Sequence, residues 1–291
     1  MNRATFIGST AVLMWGALAL FTTWSGAVPP FQLVAMAFSV AFAMVSVKWL
    51  VRGEGLRKHL RQPLKVWALG VGGLFGYHFF YFVALRNAPA VDASLIAYMW
   101  PLLIVLFSAL LPGERLRWWH IAGALAGMAG SVLLVTDGGR VVFQPEYALG
   151  YLSAGACALT WSTYSVLSRK FGAVPTDTVG WFCGASAVLG LLAHLAFETT
   201  VWPQDTGQWL AILALGLGPV GAAFFTWDIG VKHGDIRALG VFAYAAPLIS
   251  TLLLIAFGQG EATGIVAGAC ALIVGGALLA ARDMFRRKST I

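Results

Sequence analysis

Few side chains in the long apolar stretches of this sequence can do more than fill space, and most of those are aromatic rings with a polar edge. Tyr77, His78 and Tyr81 share one stretch. Positions 77 and 81 are one helical turn apart with 78 beside them, so a single helix face carries two phenols and an imidazole. Another stretch holds Trp161 and Tyr164, three residues apart on a face that also carries Cys157. Trp15, Tyr98, Trp100 and Tyr244 sit near the middle of further stretches, and Trp227 lies nearer the end of its own. Phenol, indole and imidazole edges make hydrogen bonds, while ring faces stack and attract ammonium groups. That chemistry holds a small apolar or zwitterionic molecule, and these residues, Cys157 and Trp227 aside, are the candidate binding set. Tyr98 and Trp100 are about 200° apart on an ideal helix, so both face one cavity only if the helix is deformed, and Tyr98 is the stronger candidate.

Bond-making chemistry has less to work with. A membrane-embedded enzyme needs a nucleophile with a base, a carboxylate pair or a metal cluster, whereas His78 is the only ionisable side chain squarely at the centre of a stretch. No catalytic residue is assigned. Cys157, Cys183 and Cys270 all lie inside apolar stretches, which offers neither a disulfide framework nor a CxxC pair; no metal and no cofactor is expected. His78 is a candidate for contact with a carboxylate or for a proton-sensitive switch. Asp92 and Asp228 fall near stretch ends, Asp92 in a position that suits a helix-start cap.

Pro101 and Pro247 each remove a backbone donor and obstruct the carbonyl four residues earlier, at Ala97 and Ala243. The expectation is a kink or gating point with free carbonyl acceptors at the membrane centre. Pro219 is read as a packing kink only.

The elements that must position these groups follow from composition. Of 291 residues, 59% are hydrophobic and 11% charged, which excludes a soluble domain, a secreted module and a disordered tail. The formal charge of +7 does not signal nucleic acid, because the basic residues occupy short links. A helix crossing about 30 Å of hydrocarbon needs roughly 20 apolar residues, and ten segments qualify: 5–24, 31–51, 66–85, 91–111, 118–136, 148–169, 177–198, 209–231, 236–258 and 263–281. With the N-terminus cytoplasmic, seventeen Lys and Arg fall on that side and only Arg86 and Arg140 on the other, so both termini are placed in the cytoplasm. The basic segment 52–65 spaces Leu56, Leu60 and Leu64 helically, as a short helix on an anionic leaflet would.

Sliding the chain by 146 residues superimposes Trp15 on Trp161, Gly70 on Gly216, Gly72 on Gly218, Tyr98 on Tyr244 and Pro101 on Pro247. YMWPLL then meets YAAPLI. Residues 1–145 hold spans 1–5 and residues 146–291 hold spans 6–10; five is odd, so the second half crosses in the opposite sense, an inverted repeat of the kind secondary transporters use. The expected fold is all-α integral membrane, ten transmembrane helices as two inverted five-helix repeats. Glycine pairs at 72 and 76, 123 and 127, 180 and 184, and 264 and 268 allow close helix approach, and those of spans 5 and 10 suggest packing within each half.

The repeat, with GYHFFYFVALRNAPAVDASLIAYMWPLL at 76–103 and LTWSTYSVLSRKFG at 159–172, resembles the drug/metabolite transporter superfamily (EamA-like), most nearly its bacterial aromatic amino acid exporters of the YddG type. The resemblance implies export across a bacterial inner membrane by alternating access. From the residues alone, a carrier of neutral or zwitterionic metabolites, foremost amino acids, fits the ring set. Other small metabolites and organic cations stay open, and nucleotide sugars are disfavoured because no Lys or Arg sits at mid-span to meet phosphate. The expected partners are a small molecule and the lipid bilayer, with no nucleic acid.

Overall fold

The computed structural model describes residues 2–139, 143–258 and 261–282. Arg140, Arg286, Arg287 and Lys288, counted above, lie outside the described residues. All regular structure among the described residues is helical. Eight runs are long and apolar enough to cross a membrane: α1 (Arg3–Trp24), α2 (Pro30–Val51), α3 (Leu64–Asn87), α4 (Ala90–Ser108), α5 (Trp118–Thr136), α7 (Thr178–Phe197), α8 (Thr206–His233) and α9 (Ile236–Ala256). Between them lie α6 (Ala148–Ser168), whose serines, threonines and tyrosines lower its hydropathy, and after them α10 (Gly264–Ala280), apolar but only 17 residues long. Segment 52–65 contains one 3-10 turn, Leu56–His59, rather than a longer surface helix.

Helix starts are set by side chains that accept otherwise orphaned N–H groups. Asn2 accepts from Thr5, Asp205 from Gln208, Asp235 from Arg237 and Ala238, and Thr263 from Val266. The turn between α1 and α2 bends at Gly26, φ +75°, a left-handed conformation that favours glycine.

The principal helix pairs are α1 with α8 and α9, α2 with α7 and α8, α3 with α6, α4 with α6 and α9, and α5 with α10. Every pair joins the first half of the sequence to the second, so the halves interleave. Spans 5 and 10 therefore pack chiefly on each other, with smaller contacts to α4 and α9 of their own halves. Their close approach is at Gly123 and Gly276, while Gly264 and Gly268 face open space; small residues permit contact, but the partner helix decides which are used. A Cβ at Gly123 would lie 2.5 Å from the Gly276 carbonyl oxygen. Gly123→Val is expected to lower the unfolding midpoint in detergent, costing about 1–3 kcal/mol, and Gly268→Val to leave it unchanged.

Five runs are not continuous α-helix. α1 turns at Ala17, α3 carries a π-helical bulge at Gly72–Gly76, and α8 carries one at Gly218–Ala222. α4 breaks at Tyr98 and Met99, and α9 at Ala243 and Tyr244. The two bulges are 146 residues apart, the register of the repeat. Pro101 and Pro247 stand just past the breaks in α4 and α9, as their missing donor requires. The backbone repairs part of the damage: the Ala246 N–H donates to the Ala243 carbonyl at 3.1 Å, and the Leu102 N–H donates to the Tyr244 hydroxyl at 3.1 Å. The Ala243 carbonyl is therefore not the free acceptor expected from the proline alone.

Candidate functional site

Four indoles from four helices meet at the centre of the bundle. Trp15 of α1 lies 6.0 Å from Trp100 of α4, 5.6 Å from Trp161 of α6 and 5.0 Å from Trp227 of α8, ring centre to ring centre. Trp100 lies 6.3 Å from Trp161 and 6.0 Å from Trp227, both edge to face. Most of these contacts are tilted or T-shaped, the arrangement that the ring quadrupole favours. Phe224 closes one side, 5.6 Å from Trp161. Trp227 is held by its own N–H, which donates to the Ser165 hydroxyl at 3.0 Å.

Beside the indoles stand the phenols. Tyr77 and Tyr81 stack in parallel at 6.2 Å, Tyr77 lies 5.6 Å from Trp161, and the Tyr81 hydroxyl bonds Ser94 at 3.2 Å. Tyr98 neighbours both, and Cys157 neighbours Tyr77. The break at Tyr98 and Met99 explains how Tyr98 and Trp100 serve one region: it resets the helical phase, sending Tyr98 to the phenols and Trp100 to the indoles. Trp100, the weaker candidate on an ideal helix, is thus a full member of the cluster.

His78 spends a donor on the backbone. Its Nδ1 lies 2.7 Å from the Leu74 carbonyl, which can only accept, so Nδ1 carries the proton and Nε2 is left as the acceptor. The ring itself faces Phe38 and Phe224 at 5.3 and 6.4 Å. The second bulge has a matching cap, because the Trp15 N–H donates to the Pro219 carbonyl at 3.1 Å. A ring N–H thus satisfies a bulge carbonyl in each half.

Tyr164 continues the cluster toward the end of the bundle that carries the basic residues. Its ring lies 5.1 Å from Trp161 and packs directly on Gly73, where any Cβ would collide with it. Tyr244 is placed elsewhere. It is fully buried among Leu102, Ala124 and Ile273, over Gly127, with its hydroxyl accepting from Leu102. The break in α9 turns this residue away from the indoles, so its counterpart relation to Tyr98 does not carry it to the same place. Pro101 is buried where α4 and α9 cross, its carbonyl against Gly240, and Pro247 is buried on the segment of α9 that packs on α1, α5 and α10.

Accessibility falls along the cluster. Tyr77, His78, Tyr81 and Tyr98 are half-buried, whereas Trp161, Tyr164 and Trp227 are 3%, 2% and 0% exposed. At the basic end, Glu114 pairs with Arg169 at 3.0 Å and with Arg237 at 3.3 Å, and Arg169 donates to the Val231 and Gly234 carbonyls. Burial works against the Asp235 carboxylate, but Arg237 and the Ala238 N–H outweigh it and hold its carboxyl below the usual range. At the opposite end Glu198, 2% exposed at its side chain, accepts from the Phe31 and Gln32 N–H groups and pairs with Arg86 and His194.

Sequence reasoning missed several residues. Phe224 and Trp227 are the 146-residue counterparts of His78 and Tyr81, so the repeat register was the signal that pointed to them. Asp92 does not cap its helix; it is buried and accepts the Tyr151 hydroxyl at 3.1 Å. Asp228, read as near a stretch end, forms a buried ion pair with Lys232 at 2.8 Å. Glu54, His59 and Asp177 converge closely enough to suggest metal ligands. Lys48 and Lys58 already neutralise both carboxylates, and His59 stacks on Trp49, so this is an ion-pair cluster.

Comparison with known proteins places this arrangement. The chain matches the EamA-like transporter family twice, over residues 2–136 and 148–282. It is 58% identical over 280 residues to the aromatic amino acid exporter YddG of Ancylobacter novellus, covering 96% of this chain and 97% of that one. It is 24% identical to the protein of that name from Salmonella typhimurium, over 87% of each chain. A probable terminal-alkyne amino-acid exporter of Streptantibioticus cattleyicolor is 25% identical over 96% of this chain and 94% of its own. A crystal structure of a protein 57% identical superimposes with a TM-score of 0.92, covering 97% of this chain and 98% of the other. With helices fit to cross a membrane many times and both halves matched, the chain is a multi-pass membrane protein and belongs to the EamA-like transporter family.

Proposed function

We propose that the protein exports amino acids with aromatic and other apolar side chains across a bacterial inner membrane, by alternating access of two inverted five-helix halves, residues 1–145 and 146–291. The observation that carries this reading is a cluster of indoles and phenols held between helices interrupted at corresponding places in both halves. Broken helices at matching positions mark transporter sites, and ring faces suit an apolar side chain while phenol edges and Nε2 of His78 suit its charged groups. The names of the relatives point the same way.

In this reading Trp15, Tyr77, His78, Tyr81, Tyr98, Trp100, Trp161 and Tyr164 line the substrate path, joined by Phe224 and Trp227. Tyr244 and Pro101 maintain the crossing about which α4 and α9 rearrange, and Pro247 the break in α9. The basic end is cytoplasmic, so the half-buried phenols open outward and the buried Trp100, Trp161 and Trp227 close the inner side. Purified protein in proteoliposomes is expected to take up radiolabelled phenylalanine and tryptophan, each competing with the other and with leucine, and to ignore a phosphorylated sugar. Absence of any amino acid uptake by folded protein would overturn the proposal.

A further inference from the structure

Asp228 and Lys232 lie one turn apart on α8, directly after Trp227, with only 2% and 8% of their surface exposed. Their 2.8 Å contact is reinforced by Thr176, whose hydroxyl donates to Asp228 at 2.6 Å, and by the Val174 carbonyl, which accepts from Lys232 at 2.9 Å. A buried ion pair contributes little net stability, because desolvation cancels most of the attraction; well-packed apolar residues would serve the fold as well. The pair also lines a cavity of ≈ 20 Å³ shared with Tyr164, Ser168, Phe171 and Phe182. Tyr164 lines this water-sized space, its buried hydroxyl near Ser168 and Asp228 but meeting hydrogen-bond geometry with neither. On its other side the Tyr164 ring touches Trp161. Two charges of opposite sign, an unused hydroxyl and two phenylalanines therefore sit immediately inside the central rings.

We propose that Asp228 and Lys232 form a cytoplasmic docking subsite for the zwitterionic head of an α-amino acid. The ammonium group takes the Asp228 carboxylate, the carboxylate takes the Lys232 ammonium, and Phe171 and Phe182 receive the side chain. This exchange begins with one ion pair and one zwitterion and ends with two cross-pairs, so no net charge enters the membrane. The cavity is too small for an amino acid while Glu114, Arg169 and Arg237 hold the basic end together; docking belongs to the inward-open state. Tyr164 is the partition past which the molecule moves to the indoles.

The inference rests on the amino acid reading and is tested separately from it. Asp228→Asn/Lys232→Met removes the pair without leaving a lone buried charge. In oriented proteoliposomes, the ratio of the cytoplasmic-face KM to the outer-face KM for phenylalanine is expected to rise at least about tenfold, equivalent to about 1.4 kcal/mol. 2-Phenylethylamine, which lacks the carboxylate, is expected to compete at the cytoplasmic face of wild-type protein at least about tenfold less well than phenylalanine, and the double variant to lose that discrimination. An unchanged ratio with unchanged discrimination would make the pair purely structural. If the double variant does not fold, Lys232→Arg replaces it: a changed KM ratio supports the subsite, and an unchanged ratio overturns it. Wild-type protein that moves no amino acid from either face would instead overturn the function on which the subsite depends.

Discussion

Trp161→Ala is expected to abolish measurable transport and to destabilise the protein by about 3–5 kcal/mol, the usual cost of deleting a packed large aromatic ring. Trp161 lies within 6.4 Å, ring centre to ring centre, of Trp15, Tyr77, Trp100, Tyr164, Phe224 and Trp227. Its removal leaves an indole-sized void that its neighbours fill only by tilting out of their edge-to-face contacts. Trp161→Phe separates the two effects. It keeps most of the buried area, so the unfolding midpoint stays near wild type, while the loss of the indole changes the surface offered to an aromatic substrate and raises KM. Thermal unfolding in detergent and phenylalanine uptake, measured on the same preparations, check both. Monodisperse Trp161→Ala protein transporting at the wild-type rate would remove the ring cluster from the substrate path.

Glu198→Ala is the second large effect, and here the expected loss is of stability first. The carboxylate spans three elements: it accepts the Phe31 and Gln32 N–H groups at the start of α2 at 3.0 and 3.1 Å, and pairs with Arg86 of α3 and His194 of α7. Those N–H groups have no partner within their own helix and carry the positive end of its dipole. Alanine leaves these N–H groups without an acceptor at a site where the carboxylate is 2% exposed, whereas Arg86, 43% exposed, turns to water; orphaning a buried donor costs about 1–3 kcal/mol. Glu198→Gln is expected to fall between, since an amide oxygen still accepts from one N–H but cannot balance Arg86. An unchanged unfolding midpoint in Glu198→Ala would show that water replaces the carboxylate.

Much of the architecture is legible in the sequence because it depends on periodic properties. Apolar run length marks the helices, and the 146-residue register that superimposes Gly72 on Gly218 also superimposes the two π-helical bulges. What stays hidden depends on helix phase and on partner choice. Trp100 reaches the cluster because α4 restarts after Met99, a rotation no ideal helical wheel contains. Trp227 and Asp228 fall near the end of the expected span and Lys232 just past it, yet neighbouring segments cover all three, through Ser165, Thr176 and Val174. Tyr244 matches Tyr98 in register but not in surroundings, because α9 leans on α5 and α10 at that point. Glycine spacing likewise shows where helices can approach, and only packing selects Gly276 over Gly264 and Gly268.

The two capped bulges bear on the thermodynamics of the empty carrier. A carrier built from two identical inverted halves would have end states of equal free energy, since turning the molecule over exchanges one for the other. Here the caps are unlike: His78 bonds a carbonyl of its own helix and travels with it, whereas Trp15 of α1 bonds a carbonyl of α8 and is lost if those helices part. The counterparts differ in polarity as well, imidazole and phenol at 78 and 81 against phenyl and indole at 224 and 227. Under the alternating-access mechanism proposed above, these differences lift that degeneracy: the two substrate-free end states differ in free energy, and a ligand preferring the less stable one must first overcome the difference.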